Sequence, residues 1–65
     1  MKKQKFVKHL AEHDCYYTGE QNGSHAKFRN SQTGAIAIVP MHNDINDNLC
    51  RGICQQLGIP YCGKN

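Results

Sequence analysis

The chain has only 65 residues, and this short length limits the architectures open to it. A domain of that size buries only about 60% of the surface that its unfolded form exposes, so it supports two thin layers and no deep pocket. We therefore expect residues 1–65 to form one domain that meets its ligand across a surface. A polymer or a protein fits such a surface better than a small metabolite, and we expect no cofactor.

Turn residues divide the chain into five short segments and a tail. Two segments repeat apolar residues at helical spacing, and the three between them are rich in residues that favour strands. The predicted elements, in chain order, are a helix over 3–13, strands over 15–20, 24–29 and 35–39, a helix over 47–57 and an irregular tail over 59–65. The order α-β-β-β-α predicts an α+β fold in which both helices cover one face of a three-stranded antiparallel sheet.

The dipeptide Asn22-Gly23 predicts how the first two strands pair, because both residues tolerate the positive φ of a two-residue type I′ turn. Residues that lie directly opposite each other then share a face of the sheet. The expected pairs are Gln21 with Ser24 at the turn, Tyr17 with Phe28 and Gly19 with Ala26 on an inner face, and Glu20 with His25, Thr18 with Lys27 and Tyr16 with Arg29 on a polar face. The polar face is basic and partly aromatic, which is typical of a binding surface.

The third predicted strand, residues 35–39, is apolar at every position. Successive side chains of a strand point to opposite faces, so some aliphatic side chains must point away from the core. Exposed aliphatic surface of this kind indicates an interaction site. We therefore expect a protein partner to bury this strand or the polar face beside it.

Basic residues are clustered in a chain that has eight Lys and Arg, five Asp and Glu and a formal net charge of +3. Four lysines precede the first acidic residue, Glu12, and Lys27 and Arg29 form a second basic group. The four lysines are Lys2, Lys3, Lys5 and Lys8. Clustered positive charge is the electrostatic footprint expected of a nucleic-acid-binding protein.

Four cysteines raise the question of zinc or disulfides. They are Cys15, Cys50, Cys54 and Cys62, and no pair has Cys-x-x-Cys spacing. Cys50 and Cys54 lie one helical turn apart in an apolar stripe, so we expect them to pack in the core. The weaker alternative is a zinc-stabilised regulatory domain that uses these two residues, Cys62 and one histidine. For His9 and His13, one turn apart on the first helix, solvated positions are favoured over metal ligation.

The chain contains no apolar segment that resembles a signal peptide at its start. No stretch approaches the about 20 apolar residues that span a bilayer. We therefore expect a soluble, reduced, cytoplasmic protein with no membrane partner.

Two histidine motifs resemble those of a known family. Gly23-Ser24-His25, followed by Phe28, looks like the Gly-Ser-His-x-x-Phe signature of HicA toxins. Val39-Pro40-Met41-His42 resembles the Val-Pro-x-His exit from that family's third strand. Both motifs occur in the family's order.

The two helices add to this resemblance. Residues 51–59 read Arg-Gly-Ile-Cys-Gln-Gln-Leu-Gly-Ile, similar to the family's final helix, Arg-Ser-Ile-Leu-x-Gln-Ala-Gly-Leu, and the first helix fits through Phe6, Val7 and Leu10. The chain departs from the family pattern at Cys15-Tyr16, where many relatives have Trp, at Cys50 and Cys54, where they have larger aliphatic residues, and at Asn43, where they have Gly. The resemblance covers residues 3–60.

The resemblance to HicA toxins implies a double-stranded-RNA-binding-domain-like fold and endoribonuclease activity on mRNA. It also implies neutralisation by a HicB-type antitoxin. It assigns catalysis to His25. The residues expected to contact the RNA are Gly23, Ser24, Lys27, Arg29, Lys3, Lys5, Lys8 and Arg51.

The residue types on the polar face suit RNA cleavage by the adjacent 2′-hydroxyl. Histidine titrates near neutral pH and can carry a proton transfer, so His25 with Lys27 and Arg29 would form a minimal catalytic set. Glu20, opposite His25 in the predicted register, would orient the imidazole. His42 is a second possible supporting residue, although a hydrogen bond to the backbone explains it better.

Metal is not required for this chemistry, since the five scattered acidic residues form no obvious carboxylate cluster for Mg²⁺. The main alternative is a small RNA-binding module without catalysis, which would recognise RNA by its shape and its 2′-hydroxyl groups. Such a module would not require a histidine at the hairpin tip.

Overall fold

A computed structural model of the chain describes residues 1–61. It contains helix α1 (Lys3–Glu12), strands β1 (Cys15–Asn22), β2 (His25–Asn30) and β3 (Ile36–Pro40), and helix α2 (Asp47–Leu57). The predicted α-β-β-β-α order is confirmed. The predicted bounds of α2 agree with the structure, and those of the other elements differ by one or two residues.

The three strands form one antiparallel sheet in the order β1-β2-β3. Alternate side chains of β2 and β3 point into the core, among them Ala26, Phe28, Ala37 and Val39. The buried residues of both helices belong to the same core, so both helices cover this one face, as predicted. The helical contribution to the core is Phe6, Leu10, Cys50, Ile53, Cys54 and Leu57.

Local capping interactions fix the bounds of α2. The side chain of Asn46 accepts hydrogen bonds from the backbone N–H groups of Asn48, at 2.8 Å, and Leu49, at 3.4 Å. These bonds satisfy two of the N–H groups that a helix start leaves without partners. At the other end, Gly58 adopts a left-handed conformation with φ 73° and ends the helix.

The cysteines in the described range are core residues. Cys15, Cys50 and Cys54 are buried and reduced, which confirms the prediction of core packing for the last two. Burial, with a smaller contribution from the charge of Asp14, raises the pKa of the Cys15 thiol above its usual value. That thiol therefore stays protonated and unreactive at neutral pH. Cys62, and with it the end of the predicted tail, lies outside the described residues.

The pairing of β1 with β2 confirms the predicted register at Tyr16 and Tyr17 and corrects it near the turn. Tyr16 lies opposite Arg29, as predicted, but His25 lies opposite Asn22 and not opposite Glu20. The observed pairs are Cys15–Asn30, Tyr16–Arg29, Tyr17–Phe28, Gln21–Ala26 and Asn22–His25. The predicted pairs Gln21–Ser24, Glu20–His25 and Gly19–Ala26 are therefore wrong, and Thr18 lies in an irregular stretch of β1 that has no one-to-one pair with Lys27.

A bulge in β1 causes this shift. Between the two regular stretches, residues 18–20 of β1 lie opposite the single residue Lys27 of β2. Gly19, at the centre of the bulge, has φ 92°, a conformation that residues with a Cβ atom rarely adopt. The hydroxyl of Thr18 accepts a hydrogen bond from the backbone N–H of Glu20 at 3.2 Å, which stabilises the bend.

The two extra residues of the bulge move the turn along the chain. Asn22 remains in β1, and the turn residues are Gly23 and Ser24. Gly23 has φ 61°, as expected for the first central residue of a type II′ turn. The predicted type I′ turn at Asn22-Gly23 is therefore wrong, although a two-residue turn is present.

Asn30, at the end of β2, is a buried polar residue with only 3% of its surface exposed. Its Nδ2 donates a hydrogen bond to the carbonyl oxygen of Leu57 at 2.8 Å, and its Oδ1 accepts one from the backbone N–H of Gln32 at 2.8 Å. Its own carbonyl accepts a bond from the N–H of Gly34 at 2.7 Å. Asn30 therefore joins the end of α2 to the turn between β2 and β3.

Replacing Asn30 by Asp should lower the free energy of unfolding by about 1–3 kcal/mol, because a carboxylate cannot donate to the Leu57 carbonyl and leaves it unsatisfied. Chemical denaturation followed by circular dichroism measures the change. The matched control is Asn48→Asp, an exposed position in the first turn of α2 where negative charge is tolerated. Equal stability of both variants would contradict the structural role of Asn30.

Candidate functional site

The sheet surface that faces away from both helices carries a group of polar, cationic and aliphatic side chains, which we call the outer face. Its members alternate along β2 and β3 with the buried core residues, and one belongs to β1. They are Tyr16, His25, Lys27, Arg29, Ile36 and Ile38. The structure thus brings His25, Lys27 and Arg29 together on one face, as the sequence predicts.

His25 is the first residue of β2 and is exposed. Its backbone pairs with Asn22 on one side and Pro40 on the other, so its position is fixed by both neighbouring strands. No residue in the range 1–61 forms a hydrogen bond with its imidazole. A side chain on a backbone position fixed by two strands, with no hydrogen-bond partner among residues 1–61, is available to a ligand.

His25 lies in an open depression of about 240 Å³. The lining residues are Glu20, Gln21, Asn22, His25, Lys27 and Ile38. The depression therefore combines an imidazole, an ammonium group and a carboxylate with one aliphatic wall. The sequence alone does not identify Ile38, Gln21 or Asn22 as members of this site. For Ile38, the alternation of inward and outward side chains along β3 is a usable signal; for the other two residues the sequence offers none.

Glu20 contacts Lys27 and not His25. Its Oε1 lies 3.2 Å from the Nζ of Lys27. The bulge places Glu20 opposite Lys27, and Asn22 takes the position opposite His25. The prediction that Glu20 stands opposite His25 and orients its imidazole therefore has no geometric basis. The Glu20 carboxylate is exposed and the Lys27 side chain is half-buried, and an ion pair open to solvent on one side contributes only about 0–1 kcal/mol.

A second open depression, of about 350 Å³, lies at the other end of the β1–β2 pair. It is lined by Tyr16, Tyr17, Thr18, Arg29 and Ser31. Tyr17 lies on the inner side of the sheet, where its ring centroid is 6.0 Å from that of Phe28. Tyr16 and Arg29 stand on the outer face.

The remaining predicted RNA contacts lie in the helical layer. Lys3, Lys5 and Lys8 belong to α1 and Arg51 to α2, on the side of the sheet away from His25. The guanidinium of Arg51 lies 5.1 Å from the ring centroid of Tyr61. These residues are therefore not part of the outer face.

The histidines of α1 and of the β3 exit occupy different surroundings. The Nε2 of His9 is 2.7 Å from the carbonyl oxygen of Pro60, and the Nδ1 of His13 is 3.0 Å from the carbonyl oxygen of His9. Within residues 1–61, no three His, Cys, Asp or Glu side chains form a group that could hold a metal ion. His42 is exposed, two residues beyond Pro40 and at the same end of the sheet as His25.

A comparison with protein-family models matches residues 4–59 to the family described as HicA toxin of bacterial toxin–antitoxin. The chain belongs to the HicA toxin family. Toxins of such systems are paired with an antitoxin, so membership implies a partner of that general kind. Neither the curated proteins nor the solved structures gave a significant match.

The two histidine motifs of this HicA family member are neighbours in the sheet. His25 is the Cα partner of Pro40, and the backbone N–H of Met41 donates to the carbonyl oxygen of Ser24 at 2.7 Å. Motifs that are far apart in the sequence therefore lie side by side at one end of the β2–β3 pair. Within the described residues, no helix is long and apolar enough to cross a membrane.

Proposed function

We propose that this HicA family member is an endoribonuclease toxin that cleaves mRNA in the cytoplasm and thereby arrests translation. The observation that carries the proposal is the state of His25. It is exposed, fixed by two strands and without a hydrogen-bond partner among residues 1–61, on a face that also carries Lys27 and Arg29. An imidazole beside two cations supplies what phosphodiester transfer in RNA requires.

RNA carries its own nucleophile, the 2′-hydroxyl next to each phosphate. In the proposed reaction His25 removes the 2′-hydroxyl proton, the 2′-oxygen bonds to phosphorus, and the bond to the 5′-oxygen breaks, leaving a 2′,3′-cyclic phosphate. The leaving 5′-oxygen takes a proton from the imidazolium or from water. Lys27 stabilises the negative charge that grows on the phosphate oxygens. Arg29, further along β2, adds positive charge that attracts the flanking RNA backbone.

The Glu20–Lys27 ion pair gives the free enzyme a neutralised cation next to His25. When RNA binds, a phosphate takes the place of the Glu20 carboxylate on Lys27. The replacement costs little, since the Glu20 carboxylate is exposed to solvent and ion pairs of this kind are weak. In this proposal Glu20 acts on Lys27, and its role as a support for His25 is given up.

Further contacts position the RNA backbone without reading its sequence. The backbone N–H groups of Gly23 and Ser24, at the turn beside His25, are candidates for phosphate contacts. Lys3, Lys5, Lys8 and Arg51 would contribute attraction at longer range from the helical layer. His42 remains a possible supporting residue at the same end of the sheet as His25. The α-β-β-β-α order is also that of double-stranded-RNA-binding domains, which agrees with an RNA ligand.

The partner that we propose is a HicB-type antitoxin bound to the outer face. Ile36 and Ile38 point out of the sheet with 47% and 48% of their surfaces exposed, as the apolar third strand predicts. Exposed aliphatic side chains make no favourable contact with RNA phosphates, but they are typical of a protein interface. Because Ile38 lies directly opposite Lys27 and Ile36 directly opposite Arg29 on the same face, a protein bound there would also cover the cationic residues and His25.

The first test is incubation of the purified protein with end-labelled mRNA, with and without chelator. Cleavage should proceed unchanged in excess EDTA, because the proposed proton transfers and charge stabilisation use side chains alone. Fragments should carry cyclic phosphate at their 3′ ends. Loss of cleavage in EDTA and its recovery with added Mg²⁺ or Zn²⁺ would contradict this mechanism.

A further inference from the structure

Tyr16 is a large aromatic residue in a position that the fold does not require. It has 51% of its surface exposed on the outer face and is not part of the core. Its hydroxyl forms no hydrogen bond with any residue in the range that the structure describes. A tyrosine that neither packs inside nor uses its hydroxyl presents its ring to whatever binds the sheet.

Arg29 stands directly opposite Tyr16 on β2. Side chains paired in this way have Cβ atoms about 4.5–5.5 Å apart. The Arg29 guanidinium reaches toward Gly34, where an added Cβ would lie 3.5 Å from Nη2. It forms no salt bridge with the part of the chain described here. An aromatic ring and a free guanidinium therefore border one depression of about 350 Å³, a volume in the lower range of small-ligand sites.

Arg29, at the border of this depression, lies on the same strand and the same face of the sheet as His25 in the proposed cleavage site. His25, Lys27 and Arg29 occupy alternate positions of the same strand and point to the same face. At about 3.4 Å per residue, the four steps from His25 to Arg29 cover about 14 Å. An RNA strand that lies along β2, with a phosphate between His25 and Lys27, would bring the base of a nearby nucleotide to Tyr16.

We propose that Tyr16 and Arg29 form a stacking site for one unpaired nucleobase of the RNA. Tyrosine rings and guanidinium planes both stack on bases, irrespective of base identity. A base inside a duplex is already stacked and paired and cannot enter, so the site selects RNA that is single-stranded next to the cleaved bond. This inference rests on the nuclease function proposed above and adds the class of substrate to it.

The test uses the His25→Ala variant as a background that binds without cleaving. The probe is a short single-stranded RNA containing 2-aminopurine, whose fluorescence is quenched when it stacks. Adding Tyr16→Leu should weaken binding about 5- to 150-fold and remove the quenching, as expected for the loss of one aromatic–base stack. Tyr16→Phe, which keeps the ring, should bind and quench like the background.

Two controls separate stacking from general damage. Ile36→Ala removes an exposed aliphatic side chain opposite Arg29 and should leave RNA affinity unchanged. A duplex RNA of the same sequence should bind the Tyr16→Leu variant and the His25→Ala background with equal affinity. Circular dichroism confirms that each variant is folded.

If the Tyr16→Leu and Tyr16→Phe variants both bind the single strand as tightly as the background does, the stacking site is wrong. It is also wrong if both variants lose RNA affinity to the same extent. The nuclease proposal fails separately. If quenching depends on the Tyr16 ring but the wild-type protein cuts no RNA, the stacking site stands and the cleavage function does not. If the protein binds no RNA under any condition, both proposals are wrong.

Discussion

Replacing His25 by Gln should reduce RNA cleavage by about 10²- to 10⁴-fold, the usual contribution of a general acid or base. Glutamine keeps a polar side chain of similar reach but cannot accept a proton near neutral pH. Expression of the variant should no longer arrest growth. The measurement is the initial rate of fragment formation from end-labelled mRNA at saturating enzyme.

The same change should leave the fold intact. His25 is exposed, and no residue within positions 1–61 forms a hydrogen bond with its imidazole, so its replacement should alter the free energy of unfolding by no more than about 0.5 kcal/mol. RNA affinity should fall little, because Lys27 and Arg29 supply most of the phosphate attraction on this face. A variant that unfolds would show that the histidine is structural.

His42→Gln is the matched control for this experiment. His42 is also exposed and lies at the same end of the sheet, but it lies outside β2, the strand that carries Lys27 and Arg29. The His42 variant should retain cleavage within about tenfold, since a supporting residue contributes less than the group that moves the proton. If the His25 variant still cleaves at the wild-type rate and the His42 variant does not, the two roles are exchanged. If both variants and the wild type bind RNA without cutting it, the protein is a binding module.

The fold could be predicted from the sequence because each element carries its own local signal. The apolar spacing of α2 and its stop at Gly58 define that helix without reference to the rest of the chain. Likewise, the alternation of Ala37 and Val39 with Ile36 and Ile38 correctly indicated that aliphatic surface would remain outside. Both features depend on the chemistry of neighbouring residues, which the sequence displays directly.

The register near the turn could not be predicted because two competing turns have nearly equal local preference. Asn22-Gly23 and Gly23-Ser24 each suit a two-residue hairpin loop, of type I′ and type II′ respectively. The choice depends on whether β1 can absorb two extra residues, which it does through the positive φ of Gly19. The sequence pattern places Gly19 in a regular strand, where a glycine is only a weak signal of a bulge. The consequence for the site is large, because Glu20 pairs with Lys27 and leaves His25 without a carboxylate partner among residues 1–61.

Replacing Ile36 by Lys should separate toxicity from neutralisation. In the proposed complex the antitoxin covers Ile36, which now has 47% of its surface exposed. A lysine there would place a charge next to Arg29 and inside an apolar contact, at a cost of at least about 2 kcal/mol, or about 30-fold in affinity. RNA cleavage should persist, since Ile36 lies four residues along β3 from Pro40, the partner of His25, and added positive charge favours RNA.

The control is Leu49→Lys, which introduces the same side chain at another half-exposed aliphatic position, 45% exposed, on α2. Helix α2 covers the inner face of the sheet, so a partner on the outer face does not reach Leu49. We expect the antitoxin to neutralise the Leu49 variant fully and the Ile36 variant poorly, both in growth rescue and in binding measured by calorimetry. Because both variants carry the same added charge, a difference between them reports the surface that the antitoxin covers. Full neutralisation of the Ile36 variant would place the antitoxin elsewhere, and loss of cleavage in that variant would show that RNA itself needs the third strand.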